Sequence, residues 1–319
     1  MKNQSLPKII VLLGPTASGK TAVACALARA FDFEIINADS RQVYQHLRIG
    51  TAKPKGEWRA HLQTGERVYM VEDIPHYLMD VIDPAHPYMV AEWKMSAETR
   101  AREILRCGKR VLVVGGTGLY IDALTENFEL PVRETNTAWR VELQKKSLAE
   151  LAAFLRAHDS ASAGRIDMNN PRRVLRALEV ALATGKSFVA QQKKQPPQFY
   201  ALKLGVRVSM EELTRRINAR VDLMMEEGFL KEVRALLNAG YTEEDNALQS
   251  IGYRELIVHI KGEVSLDEAV QRIKTATRQY AKRQMTWFKR DAAIQWIESP
   301  EQARDCVMLH YEMSLRQYH

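Results

Sequence analysis

The sequence predicts an α/β protein: a parallel sheet flanked by helices, of the P-loop NTPase-like class, interrupted by a helical insertion domain. Three observations carry this. The apolar run Ile9-Ile10-Val11-Leu12-Leu13 feeds a glycine-bounded loop, Gly14 to Thr21, that ends in Lys-Thr and leads into an Ala-rich stretch, Ala22 to Ala30. The stretch Glu34 to Ser40 reads as a second strand that ends in a carboxylate and a hydroxyl, and Val111 to Val114 has the continuous apolar character of a strand buried on both faces. From Glu126 to Pro197 the chain changes to helices separated by polar loops. The organisation read from this is a core from 1–125 and 198–319, carrying basic C-terminal helices, with the insertion at 126–197.

With 319 residues, 46% of them hydrophobic and 27% charged, the composition is that of a globular protein with a large core. No run approaches the roughly 18 apolar residues that span a bilayer. Met1 to Pro7 is too short and polar for a signal peptide, so no membrane association and a cytoplasmic location are expected. Cys25, Cys107 and Cys306 lie far apart and form no C-x-x-C pair, which indicates neither disulfides nor a zinc site and reads as buried filler. A net charge of +7 permits a polyanionic partner without demonstrating one.

In the first loop, Gly14, Thr16, Ala17, Ser18, Gly19, Lys20 and Thr21 match G-x-x-x-x-G-K-[ST] between a strand and a helix. Successive backbone N–H groups and a helix N-terminus converge there on one anion, and Lys20 adds a point charge. A diphosphate fits as well as a nucleotide. The second strand ends in Asp39-Ser40, at the carboxyl edge of the sheet where ligands of such folds bind. Asp39 is therefore either a group acting beside the phosphates or a cap for the next helix. Ser40-Arg41-Gln42-Val43-Tyr44 suits a second substrate. Ile49 to Pro54 is a loop, the segment to Glu72 reads as polar and irregular, and His76 to Ile82 as a strand. His46, His61, His76 and His86 show no metal-ligand spacing. Val90 to Arg106 is helical.

The strand Val111 to Val114 runs into Gly115-Gly116-Thr117-Gly118 with no carboxylate at its end, where a nucleotide hydrolase would carry one for Mg²⁺. Thr117 offers a hydroxyl to the crevice. In the insertion, Asn170-Pro171 starts a helix with Arg172, Arg173 and Arg176 on one face and Val174, Leu178, Ala181 and Leu182 opposite. The basic face is either solvated or phosphate-binding. Phe199 to Val208 returns to a strand. Capping boxes at Ser209–Glu212 and Ser265–Glu268 open two long helices. From Ala269 to Arg290 there are seven Lys or Arg and no acid, beside an apolar stripe of Ala269, Ile273, Ala276, Tyr280 and Trp287 that reads as core.

Several of these segments together resemble the bacterial tRNA dimethylallyltransferases. They are Gly14 to Thr21, Asp39 to Tyr44, Ile49 to Pro54, Val114 to Tyr120, Asn170 to Glu179, Ser250-Ile251-Gly252-Tyr253-Arg254 and Thr277 to Trp287, in that order over nearly the whole chain. The resemblance implies transfer of a dimethylallyl group from dimethylallyl diphosphate to N6 of adenosine 37, 3′ of the anticodon, in tRNAs that read codons beginning with U. It implies release of diphosphate, use of Mg²⁺ and no ATP hydrolysis. It implies Asp39 as the base, Thr117 as the group fixing the amine, and Arg220 with Lys20 on the departing diphosphate. By the same resemblance Mg²⁺ sits on Thr21, and Asp39, Ser40, Arg41, Gln42, Thr117, Arg140, Arg172, Arg173, Val174, Leu175 and Arg176 lie against the anticodon stem-loop, with the protein acting as a monomer. A small-molecule kinase and a nucleotide-switched RNA-binding protein are the alternative readings.

Overall fold

The computed structural model describes residues 6–129, 137–191 and 194–315. Pro131 and Gln192-Lys193, read as the edges of the insertion, lie outside the described residues.

The chain divides into two compact units, Met1–Ile121 with Gln198–His319, and Asp122–Pro197. The first is built on an eight-stranded sheet. In chain order its strands are β1 (Lys8–Leu13), β2 (Phe33–Asn37), β3 (Glu57–Ala60), β4 (Arg67–Val71), β5 (Ile74–Tyr77), β6 (Arg110–Gly115), β7 (Tyr200–Val206) and β8 (Gln295–Ile297). The spatial order is β3-β4-β5-β2-β6-β1-β7-β8. From β5 to β8 every pairing is parallel, whereas β3, β4 and β5 are joined antiparallel. The sheet is thus mixed but mostly parallel, its parallel part being what the apolar runs of β1 and β6 predict.

β1 and β2 are buried along almost their whole length because helices cover both faces. On one face α1 (Lys20–Phe31) packs Val23, Ala24 and Leu27 against Ile10, Leu12, Ile35 and Leu112, and α13 (Pro300–Leu315) adds Ala303 and Val307. α2 (Val90–Arg106) buries Trp93, Ala97, Ala101 and Ile104, a helical period of three and four. Trp93 stacks on Tyr120 in α3 (Gly118–Thr125) at 4.5 Å and donates its indole N–H to the Asn37 carbonyl at 2.9 Å. The helices between β7 and β8 are α9 (Met210–Glu226), α10 (Phe229–Asn238), α11 (Tyr253–Ile260) and α12 (Leu266–Phe288). Ser209 and Ser265 cap α9 and α12 by accepting the N–H groups of Glu212 and Glu268.

The second unit holds α4 (Thr137–Gln144), α5 (Leu148–His158), α6 (Ser160–Ala163), α7 (Pro171–Thr184) and α8 (Phe188–Gln191). Leu143, Leu151, Leu155, Val174, Ala177 and Leu178 form its core. Asn170 caps α7 by accepting the Arg173 N–H, with Pro171 at the first position.

Three sequence expectations differ from this fold. The segment before Glu72 carries the β3–β4 hairpin; β3 is an edge strand with mostly exposed side chains, and that polarity disguises it. The strand expected over His76 to Ile82 stops at Tyr77, because Leu78 and Asp80 turn left-handed, both with φ of 58°. Of the cysteines only Cys25 is buried; Cys107 is exposed at the end of α2. No helix among the described residues is long and apolar enough to cross a membrane.

Candidate active site

Parallel register brings the ends of β2, β6 and β1 together, with Asn37 beside Val114 and Leu13 beside Gly115. The segments that leave these strands therefore share one edge. From β1 the chain turns through Gly14 and Ala17 (φ 62°) to Gly19, which enters α1 left-handed at φ 91°. The Lys20 ammonium donates to the Pro15 carbonyl at 2.7 Å and so lies back across the loop. Burial pushes its pKa down to about 8; Arg220 nearby acts in the same sense, and the Asp39 carboxylate opposes both. Burial, helped by Arg216, also lowers the pKa of Arg220. The Ser18 hydroxyl is buried in the loop without a hydrogen-bond partner among the described residues. A buried orphan donor beside two cations is what an absent anion would satisfy.

After β2, the two oxygens of the Asp39 carboxylate are placed differently. Its Oδ1 accepts the N–H of Arg41 at 2.9 Å and, at 3.4 Å, that of Gln42, which caps the turn over 39–42. Its Oδ2 takes no hydrogen bond among the described residues. Both readings of Asp39 offered by the sequence are thus compatible, one on each oxygen. Gln42 donates to the carbonyls of Thr51 and Ala52, each at 3.2 Å, tying this turn to the Ile49–Pro54 loop. That loop is held from below by two groups the sequence did not reveal. Glu232 in α10 accepts the N–H groups of Arg48, Ile49 and Gly50 and the Tyr253 hydroxyl. Lys53, fully buried, pairs with Asp80 at 2.5 Å and donates to the Tyr44 carbonyl.

Two cavities open at this edge. One, of about 300 Å³, is bounded by Thr16 to Thr21 and reaches Asn37, Asp39, Gln42, His76 and Arg220. The other, of about 500 Å³, has apolar walls from Ile217, Val221, Met224, Phe229 and Ile273 and polar ones from Ser40, Arg41, Arg254 and Arg283. Thr16, Asp39, Thr51, Ala52 and Arg220 border both. The apolar stripe read as core on α12 is split: Ala269 is buried, Ile273 is buried at the wall of the second cavity, Ala276 and Tyr280 line that cavity, and Trp287 is half-buried. Burial, reinforced by Asp39, pushes the Tyr280 phenol up to about 12, so it stays a neutral donor.

Thr117 lines neither cavity. Its hydroxyl accepts the Ser40 N–H at 3.0 Å and also bonds the Ser40 hydroxyl and Tyr280, so it acts on the second cavity through them. Gly14 likewise lines neither and serves the turn. The basic stretch from Ala269 to Arg290, most of it in α12, is partly neutralised: Arg272 pairs with Glu268 and Lys274 with Asp222.

The remaining expected residues belong to the second unit. Arg172 and Arg173 are exposed on α7. Val174 is fully buried in the core, so its side chain cannot reach a ligand, and Leu175 packs on the same core. Arg176 and Arg140 both hold the buried carboxylate of Glu179, at 3.4 and 3.5 Å.

The family model of IPP transferases matches residues 42–291. The tRNA dimethylallyltransferase of Geobacter metallireducens is 44% identical over 306 residues, covering 94% of this chain and 95% of that one. The enzyme of the same name from Staphylococcus aureus is 40% identical, covering 93% and 94%. Among solved structures, the tRNA delta(2)-isopentenylpyrophosphate transferase of Staphylococcus epidermidis superposes with a TM-score of 0.67 at 38% identity, over 97% of this chain and 99% of that one. A eukaryotic dimethylallyltransferase acting on tRNA superposes with a TM-score of 0.72 at 28% identity, over 92% and 74%.

Proposed function

From the premise that this chain belongs to the IPP transferase family, we propose that it transfers a dimethylallyl group from dimethylallyl diphosphate to N6 of adenosine 37 of tRNA. The observation that carries this is the pair of cavities that meet at Asp39 and Arg220. A phosphate-loop kinase needs one closed site for ATP and a small acceptor; this chain has a cationic loop opening onto a larger space with apolar and basic walls.

The diphosphate occupies the loop, with Lys20, Arg220 and the loop N–H groups on its oxygens and the Ser18 hydroxyl available to it. The adenine leaves its stack to enter the second cavity, bordered by Ser40, Arg41, Tyr280 and Arg283. N6 attacks C1 of the donor; the new C–N bond forms as the C1–O bond breaks, and the electron pair leaves with diphosphate. Asp39 Oδ2 takes the N6 proton, while Oδ1 keeps the turn in place. Thr117 orients Ser40 and Tyr280 at the reacting amine.

The residues fit Mg²⁺ only as a partner of the diphosphate. No group of three or more His, Cys, Asp or Glu among the described residues could hold a metal ion, and Thr21, exposed in the first turn of α1, offers one hydroxyl. Bound there with the donor, Mg²⁺ would supply positive charge to the leaving diphosphate. Arg172 and Arg173 are proposed to meet tRNA phosphates, with Arg140 and Arg176 contributing beyond their hold on Glu179. The working species is taken as a cytoplasmic monomer, since one chain carries both cavities whole.

The test is incubation with unmodified tRNA and radiolabelled dimethylallyl diphosphate, against ATP with small acceptors. Label in tRNA at adenosine 37, without ATP, is expected. ATP hydrolysis stimulated by a small acceptor, with no label in tRNA, would overturn the reading.

A further inference from the structure

Gln284 is the one buried amide on the inner face of α12, and it reaches both sides of the crevice. Its Oε1 accepts the Thr16 N–H of the phosphate loop at 2.8 Å, and its Nε2 donates to the Gly116 carbonyl, also at 2.8 Å. The two partners fix which end of the amide is which, since one can only donate and the other only accept. Gly116 immediately precedes Thr117, whose hydroxyl sets Ser40 and Tyr280. A Cβ on Gly116 would lie 2.3 Å from Gln284 Nε2, so the absence of a side chain at 116 is what admits the amide. The Thr16 N–H is consequently committed to Gln284 and is not a phosphate donor, although Thr16 borders both cavities.

We propose that Gln284 is a positioning residue for the transfer reaction: it sets the spacing between the phosphate loop and the Gly116–Thr117 segment, and thereby the approach of the amine to the donor carbon. Glutamine suits this role because it supplies one donor and one acceptor at the end of a side chain that packing locks. A hydrophobic residue of similar size would fill the space and hold neither segment. Displacement of reacting groups by about 1 Å is enough to cost a large factor in rate while leaving each substrate bound.

This inference rests on the transfer reaction proposed above, and its test has a readout that does not. The variants are Gln284→Ala, Gly116→Ala and the double substitution. In single-turnover transfer at saturating tRNA and dimethylallyl diphosphate, each single variant is expected to lose about ten-fold or more in rate, with KM for tRNA changed about three-fold or less. The double variant should lie within about three-fold of Gln284→Ala, because the 2.3 Å clash with the amide is then gone and the added Cβ meets the Gly14 carbonyl at 3.3 Å. Hydrogen exchange of the loop peptide containing Thr16 should be faster in Gln284→Ala than in wild type.

A Gln284→Ala rate within three-fold of wild type, losses that multiply in the double variant, or unchanged loop exchange would each overturn the proposal. If the wild type transfers nothing, the transfer reading fails, and the exchange experiment still decides whether Gln284 holds the loop. If Gln284→Ala does not fold, Gly116→Ala, whose clash is with a side-chain amide, gives the same rate and exchange comparison.

Discussion

Replacing Asp39 separates the two functions of its carboxylate. Oδ1 accepts the Arg41 N–H at 2.9 Å and that of Gln42 at 3.4 Å, a cap that Asn reproduces about as well as Asp. Oδ2 has no partner among the described residues and is the atom assigned to the N6 proton. Asp39→Asn therefore keeps the turn over 39–42 and loses the base. The expected loss is about 10²-fold or more in single-turnover transfer, equivalent to about 2.7 kcal/mol in the barrier, with KM for tRNA unchanged. Asp39→Ala loses the cap as well, about 1 kcal/mol of local stability, so that Ser40, Arg41 and Gln42 are no longer held and KM for tRNA rises. The choice of pH matters. The Asp39 charge raises the pKa of Lys20, which burial brings to about 8, so removing it lowers that pKa further. The assay belongs near pH 6.5, below the wild-type Lys20 value, with pyrophosphate affinity measured on each variant so that a change in donor binding does not pass for a change in chemistry. An Asn variant within a few-fold of wild type would remove Asp39 from proton transfer and leave it as a cap.

Because the Lys20 pKa is lowered to about 8, its ammonium is lost as pH rises through that value, and affinity for inorganic pyrophosphate should fall there relative to a Lys20→Arg variant, whose charge persists; calorimetry across pH 6.5 to 9.5 checks this. The sign for stability is opposite: the unfolded lysine binds more protons between pH 8 and its ordinary value, so this residue's destabilising effect is full below about 8 and is relieved as pH rises. Arg172→Ala and Arg173→Ala should each flatten the dependence of log K for tRNA on log salt by about 0.7 to 0.9 without changing the thermal midpoint, whereas Arg176→Ala should also destabilise the second unit by about 1 kcal/mol because Glu179 loses a partner. An unchanged salt slope would make Arg172 and Arg173 a solvated face. Lys53→Met strands the buried Asp80 carboxylate and should cost about 3–5 kcal/mol in urea unfolding; a loss under about 1 kcal/mol would mean that Asp80 finds another cation or water.

Much of this fold is written in local pattern. β1 and β6 carry continuous apolar runs because both of their faces are covered. The phosphate loop is legible because its chemistry depends on backbone shape, which glycines at fixed spacing specify. The caps at Asn170, Ser209 and Ser265 are local in the same way: donor and acceptor lie within three residues. The β3–β4 hairpin was illegible for the converse reason. An edge strand with exposed side chains owes its conformation to pairing with Met70, Tyr69 and Val68, and its composition is that of a loop.

The site was legible only where a residue acts on its own neighbours in sequence. Asp39 stands next to the turn it caps, and its position at the end of β2 follows from the strand. Gln284, Glu232 and Lys53 act on backbone far along the chain, and nothing in their immediate sequence marks them except that each is a polar group on a face otherwise buried. The stripe on α12 makes the point most sharply. A period of 3.6 identifies residues that avoid water, but it does not say whether they meet another helix or the wall of a cavity. Ala269 meets the protein; Ile273, buried as it is, stands with Ala276 and Tyr280, one and two turns further on, at the wall of the space beside Asp39. The polar break at Gln284, between buried Ala281 and Phe288, is where that helix stops being only a core element. An amide there has to be satisfied, and the groups that satisfy it are the Thr16 N–H and the Gly116 carbonyl, on two loops that border the crevice.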